Sequence, residues 1–344
     1  MGFQPDYHNI QDAAYNLQPR RLPLYEHSVH PVVMEKVMGV ELIPLFQKDK
    51  DEYYKRYCAF FHEMGYDTVS FEFCIGPAMP GSGALGSNKD GVIKERKDFQ
   101  EYPWTEIPDF YFKMYRADFE ALRRQMPEGM KAVGGVGNGI FECVQDVVGY
   151  EELCYIRQDD PELYADLFQK VGQTNRKIWN RFLEEFGDIF CVCRFGDDLG
   201  FKSTTLLPPD DIREHILPLY KEIIDLVHQA GKPFLLHSCG CIFNVMEDIL
   251  AVGINAKHSN EDQIAPFQEW VNRYGDRIGN FGGIDTDAVC RLPTREMIDY
   301  IENVIGQAQG HGGFAFGSGN SIPDYVPPEQ YLTMIRTVRE IRGE

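Results

Sequence analysis

Eight short apolar runs along this chain end in polar or glycine residues, and seven helical stretches alternate with them. That alternation constrains the fold more than any other feature, because strands separated by helices of this length build βαβ units and a parallel sheet. The runs are Arg21–His27, Tyr66–Cys74 (YDTVSFEFC), Lys131–Gly137, Ile189–Phe195 (IFCVCRF), Pro233–Cys239, Gly253–His258, Arg277–Asp285 and Gly313–Gly317. Helices are predicted over Asp51–Met64, Phe110–Met126, Pro161–Phe186, Asp210–Ala230, Ala265–Tyr274, Thr294–Ala308 and Pro328–Ile341. Pro209-Asp210-Asp211 and Pro293-Thr294-Arg295-Glu296 read as helix starts. Eight such units predict a (β/α)8 TIM barrel; an open doubly wound sheet is the alternative. No linker divides the chain, so the reading is an N-terminal arm over 1–20 and one barrel domain over 21–344.

One irregular stretch, 76–108, interrupts the pattern as a long loop after the second strand, of the kind that serves as a lid, flap or docking surface. Within it Gly81-Ser82-Gly83-Ala84-Leu85-Gly86 matches GxGxxG, but Asn88-Lys89-Asp90-Gly91 then reads as a turn where a dinucleotide site needs a helix. Tyr102, Pro103 and Trp104 are suited to pack part of the loop onto the barrel.

The 344 residues, 43% hydrophobic and 25% charged, have the composition of a soluble globular protein. No run reaches the length of a membrane span, and the N-terminus lacks the basic and apolar regions of a secretory signal. Nine cysteines without framework spacing read as reduced thiols, so a cytoplasmic location is expected. The net charge of −19 argues against nucleic-acid binding.

In a barrel the chemistry gathers at the C-terminal ends of the strands. That rule places Glu26, His27, Glu72, Asn138, Asp197, Asp198, His237, Cys239, His258, Asp285 and Asn320 around the mouth. Within His237-Ser238-Cys239-Gly240 the imidazole and the thiol are two apart at a strand end and face the same way. They are two of the ligand types zinc takes. Candidates for a third ligand at neighbouring strand ends are Glu26, Glu72, Asp197, His258, Asp285, Asn320 and, less favourably, Cys241. Asn320 offers only a neutral carbonyl, and a carboxylate such as Glu72 is chemically better. Cys191 and Cys193 repeat the spacing deeper in a strand and read as packing. His258 and His27 have ordinary alternatives as loop or cap partners, and Asp197-Asp198 as a turn pair. The glycine-rich mouth segments read as turns and close packing rather than a phosphate cradle.

Three stretches of the second half carry a resemblance: RFGDDLGFKSTTLLPPDDIREHILPLYKEIIDLVHQAGKPFLLHSCG, GNFGGIDTDAV and FGSGNSIPDYVPPE. In order and spacing they resemble the uroporphyrinogen decarboxylase superfamily, and PLYEH is similar to that family's opening strand. The resemblance implies the (β/α)8 barrel and one of two chemistries: metal-free decarboxylation of an acidic porphyrin, or zinc-dependent methyl transfer to or from a corrinoid carried by a separate protein. The His-X-Cys pair is similar to the methyltransferase class, of methylcobamide:coenzyme M or O-demethylase type. That implies Zn²⁺ on His237, Cys239 and a third group such as Glu72, with Asp197, Asp285 and His258 as catalytic candidates. A small methyl donor or acceptor and a corrinoid-binding protein would be the partners. The coenzyme M type has a further Cys just after the last strand, where this chain reads Gly317-Ser318-Gly319-Asn320. Its absence leans the reading toward methyl-ether cleavage and leaves a non-catalytic barrel subunit as an alternative. The decarboxylase class holds substrate carboxylates with arginines near its N-terminus, whereas Arg20-Arg21 here precede the first strand and belong to the opposite end of the barrel. The arm before Arg20 has the composition to cross to a second subunit in a homodimer.

Overall fold

The alternating pattern is realised as seven parallel strands in the computed structural model, which describes residues 2–86 and 89–344. They are β1 (Thr68–Cys74), β2 (Lys131–Gly137), β3 (Phe190–Gly196), β4 (Phe234–His237), β5 (Ala256–His258), β6 (Gly279–Ile284) and β7 (Phe314–Ser318). Each pairs in parallel with the next, so sheet order follows chain order, as in an α/β barrel. The helices Pro161–Phe186, Thr294–Ala308 and Pro328–Ile341 fall where the periodicity puts them. The helix from Pro209 to Gln229 contains a π turn over Ile212–Ile216. Pro218 has no N–H to return to the preceding turn, and the ladder widens there.

The first predicted strand is the element that differs. Residues 23–29 lie between β7 and β1 but form only two isolated parallel bridges, Leu24 with Phe316 and Val29 with Ile322. The Tyr25 N–H donates to Phe316 O at 2.8 Å, and the Phe316 N–H donates to Pro23 O at 2.9 Å. On the other flank Ser70 Oγ donates to Glu26 O. Pro23 lacks a donor, so a full ladder cannot form through it. Closure depends instead on close backbone approach: a Cβ on Gly317 would sit 1.6 Å from Tyr25 O.

The interior of the barrel is apolar below and polar above. Val133, Cys191, Leu235, Ala256, Phe281 and Ala315 form a buried cluster with Ile10, Ala13 and Ala14 of the helix His8–Ala14. The helix His8–Ala14 of the N-terminal arm therefore closes the floor of its own barrel. A Cβ on Gly313 would lie 1.9 Å from Ala13 O, so only glycine lets the helix sit this close. Arg21 belongs to this end as the sequence predicts, paired with the buried Asp67 just before β1.

The stretch read as a long loop carries a short helix, Arg96–Glu101, and its described residues dock at several points. Val92 and Ile93 donate to Val147 O at 2.7 and 3.0 Å, and Tyr102 Oη donates to Pro80 O at 2.9 Å. Trp104 is buried with its indole N–H on Phe99 O. The turn read at Asn88-Lys89-Asp90-Gly91 falls partly outside the described residues, at Asn88. Among the described residues no helix is long and apolar enough to cross a membrane.

Candidate metal centre

Strand register brings the site together. Gly196 of β3 is level with His237 of β4, and His237 with His258 of β5. The strand β4 stops at His237, two residues before the predicted end. Cys239 thus lies in the loop beyond it, held by its N–H donating to Asp198 Oδ1 at 2.8 Å. Its Sγ is nonetheless 3.4 Å from His237 Nε2. Two ligands at tetrahedral zinc distances would lie about 3.6 Å apart, so the pair has the span the ion requires. Asp198 Oδ1 is 3.7 Å from the same Nε2. The ligand atoms of Asp198, His237 and Cys239 all fall within 4.8 Å of one another.

The histidine tautomers follow from the hydrogen bonds. His258 is fully buried, and its Nε2 lies 3.0 Å from Ser318 O, which can only accept. Nε2 must carry the proton, leaving a lone pair on Nδ1. That lone pair faces His237 Nδ1 at 2.8 Å, so His237 donates there. His237 Nε2 is left with an unprotonated lone pair aimed at Cys239 and Asp198. A ring nitrogen fixed from behind in this way is the usual preparation of a metal ligand. Burial pushes both imidazoles far toward the neutral form, His258 down to about 3. Burial also raises the Cys239 thiol, and the Asp198 charge adds to it. A cation between them would reverse both effects by stabilising the thiolate and the carboxylate. Asn320 Nδ2 and Ser259 Oγ approach the sulfur at 3.4 and 3.6 Å and supply it with donors. The donor set therefore fits zinc: one imidazole, one sulfur and one carboxylate.

The remaining sequence candidates are placed as follows. Glu72 is gripped by Arg194, whose Nε and Nη2 lie 2.9 and 2.8 Å from Oε2. Its nearest histidine is His27, at 3.6 Å, and it lies outside the clusters formed around His237. Asp197 is fully buried and caps the helix Ile140–Val148, accepting from the Phe141 and Glu142 N–H groups at 3.0 and 2.8 Å and from Tyr220 Oη at 2.5 Å. Burial raises its carboxyl to about 6. Asp285 caps the helix Thr286–Arg291 and also accepts from the Asp262 N–H at 2.8 Å. His258 supports His237 from behind. His27 stacks on His237 with ring centroids 3.9 Å apart. The sequence reads Asp198 as part of a turn pair and Asn320 as a poor ligand; the signal for Asp198 is its place one residue past a capping carboxylate at a strand end.

Asn320 also lines a cavity of about 520 Å³ with Asn260, Glu261, Asp285, Lys202 and Tyr325. None of His237, Cys239 and Asp198 lines it; Asn320, whose Nδ2 is 3.4 Å from the Cys239 sulfur, connects it to the site.

A family model described as uroporphyrinogen decarboxylase (URO-D) matches residues 47–341, and the chain belongs to that family. Among solved structures, a methyltransferase from Methanosarcina mazei is similar at 15% identity and a TM-score of 0.71, covering 97% of this chain and 98% of that one. A Listeria monocytogenes protein described as a vitamin-B12-independent methionine synthase is similar at 13% identity and a TM-score of 0.51, covering 94% and 97%. At such identities the likeness is one of fold. No curated protein sequence matches the chain.

Proposed function

We propose that this chain is a zinc-dependent methyltransferase that moves a methyl group between a small substrate and a corrinoid carried by a separate protein. The observation that carries the reading is the unprotonated His237 Nε2, 3.4 Å from Cys239 Sγ and 3.7 Å from Asp198 Oδ1. His237, Cys239 and Asp198 would hold the ion and leave a fourth position for substrate. Zinc there supplies a Lewis acid for the substrate's oxygen or sulfur. A carboxylate in place of a second thiolate donates less charge, which favours polarising a methyl-ether oxygen over activating a thiol. Asn320 and Ser259 draw charge off the sulfur in the same sense. The 520 Å³ chamber beside Asn320 would orient a small polar substrate through its amides and carboxylates. One neighbour of the same fold is described as a methyltransferase, in keeping with the reaction class.

A decarboxylase reading needs cations at the mouth for substrate carboxylates. The buried arginine there, Arg194, is already committed to Glu72, to Tyr25 Oη at 2.6 Å and to His27 O at 3.1 Å. Metal analysis of untagged protein tests the proposal. About one equivalent of zinc is expected, lost in Cys239→Ala with the fold retained. Less than about a tenth of an equivalent, with none taken up on addition, would overturn it, given the affinities of such sites. Methyl transfer from a methyl ether to reduced cobalamin, followed by absorbance, then tests the reaction itself.

A further inference from the structure

Glu26 is a buried acid that the proposed chemistry does not use. It is fully buried on the segment that closes the barrel. Both carboxyl oxygens go to one residue: the Ser318 N–H donates to Oε1 at 3.0 Å, and Ser318 Oγ is bonded to Oε2. Among the described residues it has no ion-pair partner, and burial lifts its carboxyl to about 8. A lone buried acid of this kind is costly and is expected where it does specific work.

Ser318 is also the residue whose carbonyl accepts from His258 Nε2 at 3.0 Å. Its N–H and hydroxyl are thus held by Glu26, and its carbonyl holds His258. His258 in turn fixes His237 through the 2.8 Å contact between the Nδ1 atoms. We propose that Glu26 is a positioning residue for the metal centre: by clamping Ser318 it sets the His258 tautomer and so aims the His237 Nε2 lone pair at Cys239. This inference rests on the reading of His237 and Cys239 as zinc ligands.

The competing role is purely structural, since the same bonds help tie β7 to the closing segment. Metal affinity separates the two. Zinc binding is measured by chelator competition, the Co²⁺-substituted absorption spectrum reports ligand geometry, and the melting temperature of the zinc-free protein reports folding. Glu26→Leu is expected to weaken zinc by about 10- to 100-fold and to change the Co²⁺ spectrum, as loss of outer-shell support does. Glu26→Gln, which keeps an acceptor for the Ser318 N–H, should stay within about threefold of wild type on the same scale. Ser318→Ala keeps the carbonyl and loses the hydroxyl clamp; a loss of about threefold or more is expected, and this variant decides the question should Glu26→Leu fail to fold. Unchanged zinc affinity and Co²⁺ spectrum in a folded Glu26→Leu, or in Ser318→Ala if that is the variant that folds, overturn the inference, whatever the melting temperature does. Failure of the underlying reading looks different: wild type itself then binds no zinc, or Cys239→Ala binds it as tightly.

Discussion

The two ends of this barrel are built from the same strands by opposite physics. At the floor, Ile10, Ala13 and Ala14 press into Val133, Leu235 and Ala315, and contact depends on shape and volume. At the mouth, Glu72, Arg194, Asp198, His237 and His258 depend on direction, because each buried polar atom needs a partner with the right geometry. The floor should therefore govern stability with little influence on metal, and the mouth groups that face the proposed ion should do the reverse.

Four substitutions test that division. Ala13→Asp puts an unpaired charge into the floor and should cost about 4 kcal/mol in urea denaturation, with zinc per folded molecule unchanged. Asp197→Asn, at the mouth but serving as a helix cap, should cost about 2 kcal/mol and leave zinc bound; metal loss here would erase the distinction between the two neighbouring aspartates. Glu26→Gln should alter the pH dependence of stability. Wild-type Glu26 keeps its proton to about pH 8 in the folded chain and releases it near 4.5 when unfolded, so its contribution is lost as pH rises between those values. The variant's stability relative to wild type should consequently climb with pH, by at most about 1.4 kcal/mol per unit, in denaturation series from pH 5 to 8. Smallest in stability is Asp198→Asn, expected within about 0.5 kcal/mol of wild type because Asp198 is partly exposed. Its zinc affinity should fall all the same, and equal affinity would remove Asp198 from the ligand set.

The helix Pro161–Phe186 was legible end to end because Asp160 caps it, Pro161 fits its first turn and apolar residues recur along one face. The His237/Cys239 pair was legible because two residues apart on one segment stay close whatever the rest of the chain does. Glu72 was not readable in the same way. As a carboxylate at a strand end it looks like a ligand, and only the neighbouring strands show that Arg194 reaches it first. The arm before Arg20 looks free in sequence, because nothing local shows that its helix fits the barrel floor.

What the sequence by itself determined is seven of the strands, the long helices between them and their order, since hydrophobic period, caps and glycines act over a few residues. It also placed His237 and Cys239, the pair proposed as zinc ligands, close together. Only the tertiary structure decided that Asp197 turns inward to a helix while Asp198 turns to the sulfur, that Ser318 and His258 stand behind His237, and that residues 23–29 close the barrel by two bridges on one flank and a Ser70 side-chain hydrogen bond on the other. Those outcomes depend on the register between strands far apart in the chain, and no local spacing encodes it.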